Sequence, residues 1–280
     1  MTGAVFILGA GRAGRGLSRA LGALGIDVAG LHGRRIEQTP DAITAGPLPP
    51  AVGTADVILV AVRDGQLENA FGILAAAPLR PAAVILHASG SAEPAGLPRL
   101  RAQGHACGTF HPLVPLADPA RAAALLRGAW IGIDGDPAAV ATAVELAQRL
   151  GAHALRIPRG EKATYHAAAV FASNFATVLA SVAAELLTGI GVDGAEAWGA
   201  IGALMRGAIT NLEGTTAAAA LTGPIVRGDV ATINAHLAAL RSEPAARRLY
   251  VALSTAAVEL ARRAGTDAAT LGKISAVLEA

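Results

Sequence analysis

A chain of 280 residues that is 53% hydrophobic and 16% charged has enough apolar material for two cores or one large one, which excludes an intrinsically disordered chain. The formal charge is +2 and the basic residues are dispersed, so the charge pattern points to neither nucleic acid nor an anionic membrane. The one cysteine, Cys107, excludes a disulfide framework, and no Cys/His spacing suits a zinc site.

Residues 4–8 form an unbroken apolar run of the kind found in a strand buried on both faces. Leu17, Ala20, Leu21 and Leu24 then recur at helical spacing. Between the two lies Gly9-Ala10-Gly11-Arg12-Ala13-Gly14, which in this strand-turn-helix context reads as a dinucleotide-binding turn. Gly9 allows the tight turn, Gly11 admits the pyrophosphate to the backbone, and Gly14 lets the helix pack on its strand. Free N–H groups at the helix start then hold the phosphates. The first strand begins without a preceding basic region or long apolar segment, so the expectation is a cytoplasmic protein without a signal peptide.

A second strand, 28–31, runs into His32-Gly33-Arg34-Arg35. An NAD site presents a carboxylate at this place, whereas an arginine fork suits the extra phosphate of NADP. NADP is therefore the expected cofactor; NAD held through Glu37, or a solvated basic loop, is the alternative. Further strands are expected at 56–62, 83–87, 105–110, 130–133 and 153–157, with helices to about residue 77 and over 137–150. The fold class is therefore α/β, a doubly wound parallel sheet. Ligands of such a sheet lie beyond the carboxyl ends of the strands, which here carry Val62, Arg63, Asp64, Ser89, Gly90 and His111. For Ser89 and Gly90 an ordinary turn competes with contact on the nicotinamide side.

From Arg159 onward the strand signal stops, and alanine-rich helices are expected over 161–187, 194–211, 230–240 and 245–264, with a short one at the end. The domain boundary falls near Pro158: 1–157 binds the cofactor, and 158–280 is a helical substrate and dimerisation domain. Residues 163–184 hold no charge over a span long enough to cross a bilayer, yet are rich in alanine and contain Tyr165, His166, Ser173 and Asn174, so a buried helix is the better reading. On a regular helix Lys162, His166, Ser173, Asn174, Thr177 and Ser181 share an arc of about 120°. That stripe could face the nicotinamide, with Lys162 or His166 giving a proton and Asn174 orienting a carbonyl or a water. Against this, Ser and Thr can bond back to the helix, a single His is often a core residue, and a first-turn Lys is usually solvated. Near Gly223-Pro224, Arg227 suits capture of a carboxylate or a structural ion pair, while Asp229 reads as a helix cap and His236 as packing.

The Gly9–Gly14 turn, His111-Pro112-Leu113, Tyr165-His166-Ala167-Ala168-Ala169, Ser173-Asn174 and Thr222-Gly223-Pro224-Ile225 with Arg227-Gly228-Asp229 together carry a resemblance that covers essentially the whole chain. It resembles proteins with a Rossmann-like NADP domain and a helical domain of unknown function. These belong to the superfamily of 6-phosphogluconate dehydrogenase, pyrroline-5-carboxylate reductase and ketopantoate reductase. The resemblance implies NADP(H) binding, a homodimer built through the C-terminal helices, and a site between the domains. In that superfamily a Lys and an Asn on the first long helix serve the chemistry; here Lys162 and Asn174 lie three turns apart rather than one, with His166 between. The expected activity is NADPH-dependent reduction of a small carbonyl acid, ketopantoate foremost. An imine reductase of the pyrroline-5-carboxylate type, or a non-catalytic NADP(H) sensor, is the alternative.

Overall fold

The computed structural model describes residues 3–36, 39–93 and 97–280. Glu37, the acid weighed for NAD, lies outside them. The chain divides into two compact units, Met1–Asn174 and Phe175–Ala280. Where the sequence suggests a junction at Pro158, the first turns of the long helix thus group with the sheet.

The first unit is built from β1 (Val5–Leu8), α1 (Arg12–Ala23), β2 (Val28–Gly33), β3 (Ile43–Ala45), β4 (Val57–Val60), α2 (Leu67–Ala75), β5 (Val84–His87), α3 (Pro98–Ala102), β6 (Cys107–Pro112), α4 (Ala122–Leu126), β7 (Trp130–Gly135), α5 (Pro137–Arg149), β8 (His153–Arg156) and α6 (Lys162–Val170). The strands form one sheet in the order β3-β2-β1-β4-β5-β6-β7-β8. The order reverses at β1, which pairs in parallel with both β2 and β4, and this opens a crevice outside their carboxyl ends.

Both faces of the sheet are covered because its central strands are apolar throughout. Val5 and Ile7 of β1 join Leu17 and Leu21 of α1 and Ala143 and Leu146 of α5 in one core. Phe6 and Leu8 turn the other way, toward Leu67 and Leu74 of α2 and Leu97 and Leu100. A fully buried Leu, Ile or Phe contributes about 2 kcal/mol, so this two-faced burial is the main stabiliser of the unit. Cys107 is buried in the second core, as a small apolar residue would be.

The sequence reading missed β3, a three-residue edge strand. It also took the sheet as wholly parallel, whereas β7 runs antiparallel to β6 and β8 follows the direction of β7. The hydrophobic pattern of a doubly covered strand carries no information about its direction.

The second unit is helical: α7 (Ala176–Gly189), α8 (Gly194–Thr210), α9 (Ala217–Ala220), α10 (Pro224–Arg227), α11 (Val230–Ala239), α12 (Pro244–Arg263) and α13 (Ala268–Glu279). Helices α10 to α13 share a core of Ile225, Ile233, Leu237, Val258, Leu271 and Ile274, while α7 and α8 pack together. The expected continuous helix over 161–187 is broken by a π turn at Phe171–Phe175. Such a turn delays the rotation of the helix, so the predicted stripe does not continue in phase from Lys162 to Ser181. Among the described residues, Lys162–Gly189 is the one helical stretch long and apolar enough to cross a membrane.

Candidate functional site

The turn after β1 has the geometry its glycines require. Gly9 adopts φ +121°, and a Cβ there would collide with the Ala61 carbonyl. A Cβ at Gly14 would overlap the Gly9 carbonyl, so α1 lies against the turn at a distance only glycine permits. Gly11 differs: nothing lies within 4 Å of where its Cβ would be. It is the N-cap of α1, with no side-chain cap, so the first N–H groups of the helix are left for a ligand.

A cleft of about 510 Å³ opens beside this turn. It is lined by Gly9, Ala10, Gly11, His32, Gly33, Arg34, Arg35 and Val62, together with residues of α2. Arg34 and Arg35 are both exposed at the end of β2. The His32 ring is buried and bonds the Thr44 hydroxyl of β3 at 2.9 Å, and burial holds its pKa below the usual value. Asp41 fixes α1 against the β2–β3 connection by accepting from Arg15 at 2.8 Å and from Arg19 at 2.6 Å. Of the residues assigned to the cofactor, Gly9, Ala10, Gly11, His32, Arg34, Arg35 and Val62 line this cleft. Arg12, Ala13 and Gly14 begin α1 beside it, while Ser89, Gly90 and His111 belong to a second group.

That group lies at the carboxyl ends of β5 and β6, where α6 crosses them. Lys162 is wholly buried, and its ammonium donates to the Ser89 carbonyl at 2.9 Å. Burial lowers its pKa to about 8, against the opposing influence of Glu93, Asp134 and Asp64. The Tyr165 hydroxyl and His111 Nδ1 share a hydrogen bond of 2.7 Å. Burial first, then the Lys162 charge and His166, brings His111 down to about 4. The His166 ring meets that of His111 edge-on at 5.9 Å, and its Nδ1 is buried with no hydrogen-bond partner among the described residues. Gly90 lies between them: a Cβ there would collide with His166 Nδ1 and stand 2.9 Å from His111 Nε2. The Ser89 hydroxyl accepts from the N–H groups of Ser91 and Ala92, so its side chain serves the turn.

The structure therefore brings Lys162, His166, Ser89, Gly90 and His111 together. Tyr165, which the sequence offers only as a polar residue of the apolar helix and as part of a motif, joins this group through His111. Asn174 is exposed on the π turn and ends the first unit. Arg227 belongs to the second unit, exposed on a short turn between Gly223 (φ +101°) and Gly228 (φ +71°). Asp229 caps α11, accepting from the Thr232 N–H at 3.0 Å and its hydroxyl at 2.7 Å. His236 bonds the Tyr250 hydroxyl at 2.9 Å. Among the described residues no group of three or more His, Cys, Asp or Glu is placed to hold a metal ion.

Residues 129–257 match a protein-family model described as a domain of unknown function, DUF2520. Among solved structures, the chain is similar to a protein from Thermotoga maritima, with 23% identity and a TM-score of 0.71 over 92% of this chain and 98% of that one. It is similar to a pyrroline carboxylate reductase from Plasmodium falciparum solved with NADP bound (10% identity, TM-score 0.65, 99% and 98% covered). A third likeness is to a reductive aminase from Aspergillus terreus in complex with NADPH and ethyl levulinate (16% identity, TM-score 0.62, 100% and 99% covered). These likenesses show the fold, a Rossmann-like α/β domain followed by a helical domain. No curated protein matches the chain.

Proposed function

We propose that the protein is an NADPH-dependent oxidoreductase that reduces a small carbonyl acid, with ketopantoate the leading candidate. The observation that carries the reading is the division of labour in the glycine turn. Gly9 and Gly14 are filled by backbone, whereas Gly11 opens onto the cleft that Arg34 and Arg35 line. These residues fit NADP: the start of α1 would hold the pyrophosphate and the two guanidinium groups the 2′-phosphate.

Bound NADPH supplies the hydride for the electrophilic carbon of the substrate. The chain then has to place a proton on the oxygen or nitrogen of the reduced bond. Lys162 holds a proton at Nζ, in a buried setting that brings its pKa to about 8, close to the range in which a general acid works best. His166, whose buried Nδ1 has no partner among the described residues, is a second polar contact for a ligand at the same place.

Reduction of an imine is the second reading, supported by the activities named for the Plasmodium falciparum and Aspergillus terreus relatives. We also propose a homodimer. Supporting it, Val178 and Leu186 of α7 and Trp198, Leu204 and Ile209 of α8 are exposed apolar side chains on two packed helices. Light scattering during gel filtration distinguishes dimer from monomer.

Calorimetric titration of the full chain with NADPH and NADH tests the cofactor assignment. NADPH is expected to bind more tightly by about 100-fold, and the double variant R34A/R35A to lose most of that preference with NADH affinity little changed. Equal affinities for the two cofactors in the unmodified protein would overturn the assignment.

A further inference from the structure

We propose that Tyr165 is a positioning residue that fixes His111 as the neutral tautomer with its proton on Nε2, and that this N–H donates a hydrogen bond to a carbonyl oxygen of the bound ligand. The inference deepens the reductase reading and rests on it.

The arrangement begins in the sheet register. His111 on β6 lies directly opposite Gly132 on β7. A Cβ at Gly132 would overlap the Tyr165 hydroxyl, so the missing side chain is the space through which the phenol, coming from α6, reaches His111. The two rings meet edge-on, with centroids 5.6 Å apart and planes at 85°, and Tyr165 Oη lies 2.7 Å from His111 Nδ1.

The direction of that bond follows from proton inventory. A phenol has one proton to donate, burial pushes its pKa up, and no other acceptor meets this hydroxyl among the described residues. Pointing this proton at Nδ1 leaves fewer buried polar groups without a partner than the reverse bond does, and Nδ1 is then the bare nitrogen of a neutral ring. The groups facing His111 agree with neutrality: burial, the Lys162 cation and His166 all disfavour its charged form, with Asp64 opposing. The ring proton is left on Nε2.

Nε2 faces the turn after β5. It stands 2.9 Å from where a Gly90 Cβ would be, and among the described residues the hydrogen bond of the His111 side chain is the one through Nδ1. A donor fixed at the carboxyl ends of β5 and β6 is in the region where a doubly wound sheet binds its ligand. A neutral imidazole there polarises a carbonyl through a hydrogen bond without giving up its proton, which leaves proton donation to Lys162. The oxygen it meets belongs either to the substrate carbonyl or to the cofactor carboxamide.

The test is long-range proton–nitrogen NMR of the full chain with labelled histidine and NADPH present, the His111 signals being identified by their loss in H111Q. The expected pattern is a protonated Nε2 and a bare Nδ1, with Tyr165→Phe showing a mixture of tautomers at unchanged melting temperature. In turnover, His111→Leu is expected to lose about 100-fold and His111→Gln, which keeps an N–H near the Nε2 position, to recover about tenfold of it. A loss in kcat assigns the donor to the substrate oxygen; a loss in NADPH affinity assigns it to the carboxamide. A proton found on Nδ1, or a Tyr165→Phe spectrum identical to that of the unmodified protein, would overturn the inference. Absence of NADPH binding would instead refute the reductase reading, and the tautomer of His111 would still be readable without the cofactor.

Discussion

The Lys162 ammonium donates to the Ser89 carbonyl at 2.9 Å while no part of its side chain reaches solvent. Besides that bond it has the Tyr165 ring, whose centroid is 5.5 Å from Nζ. Burial outweighs these contacts and the opposing influence of Glu93, Asp134 and Asp64, so its pKa falls from 10.5 to about 8. The fall corresponds to roughly 3 kcal/mol. Activity and stability both register it.

If Lys162 donates the proton, the reactive form is the ammonium. With NADPH and substrate saturating, kcat for reduction is expected to be level below pH 7 and to fall about tenfold per pH unit above about 8. A pH–rate profile checks this, and an alkaline limb starting above pH 10 would contradict it.

The stability effect has the opposite sense. A base whose folded pKa lies below its unfolded value makes the folded state bind fewer protons between about 8 and 10.5, so stability rises with pH across that window. Below 8 the full penalty applies. Lys162→Met is therefore expected to fold more stably than the parent at pH 7, by about 1 to 3 kcal/mol, and to lose that advantage near pH 10.5, while turnover falls at least 100-fold. Urea unfolding at the two pH values reads the difference.

The three glycines of the first turn are expected to separate folding from binding. Gly11→Ala finds open space and an extended backbone of φ −75°, so its melting temperature should match that of the parent while NADPH affinity falls at least tenfold. Gly9→Ala forces a side chain into φ +121° and into the Ala61 carbonyl, and is expected to lose at least about 2 kcal/mol of stability. Thermal melts paired with NADPH titrations check both variants.

Asp41 ties α1 to the β2–β3 connection. The side chain is 8% exposed, and the guanidinium groups of Arg19 and Arg15 hold its pKa below the usual carboxylate value. A depressed carboxylate contributes stability that is present above its unfolded pKa and disappears as pH falls through the folded one. Asp41→Asn is expected to cost about 1 to 2 kcal/mol at pH 7, since the pair is largely but not fully shielded, and the gap to the parent should close in acid. Equal stability at pH 7 would show the ion pair to be idle.

The sequence made the turn after β1 and its neighbouring cleft legible and left the second group of residues partly hidden. The Gly9–Gly14 turn and Arg34-Arg35 are local, so the conformation of the turn and the place of the two arginines at the end of β2 follow from their neighbours in the chain. Lys162 and His166 were visible as polar groups on an alanine-rich helix. The contact of Tyr165 with His111 was not, because it depends on Gly132, a residue 33 positions earlier that faces His111 only through an antiparallel pairing. The same pairing is what a parallel-sheet reading concealed. The π turn at Phe171–Phe175 has no marker in the residue pattern, so the stripe drawn on an ideal helix ran past the point where its phase is lost. The edge strand β3 has only three residues to announce it.

The central claim is tested most directly by following NADPH oxidation by the purified protein against small keto acids and cyclic imines, ketopantoate included, with NADH in parallel. The account predicts turnover of at least one compound, faster with NADPH and abolished in Lys162→Met. Turnover that survives Lys162→Met, or NADPH binding without oxidation by any compound of either class, would contradict it.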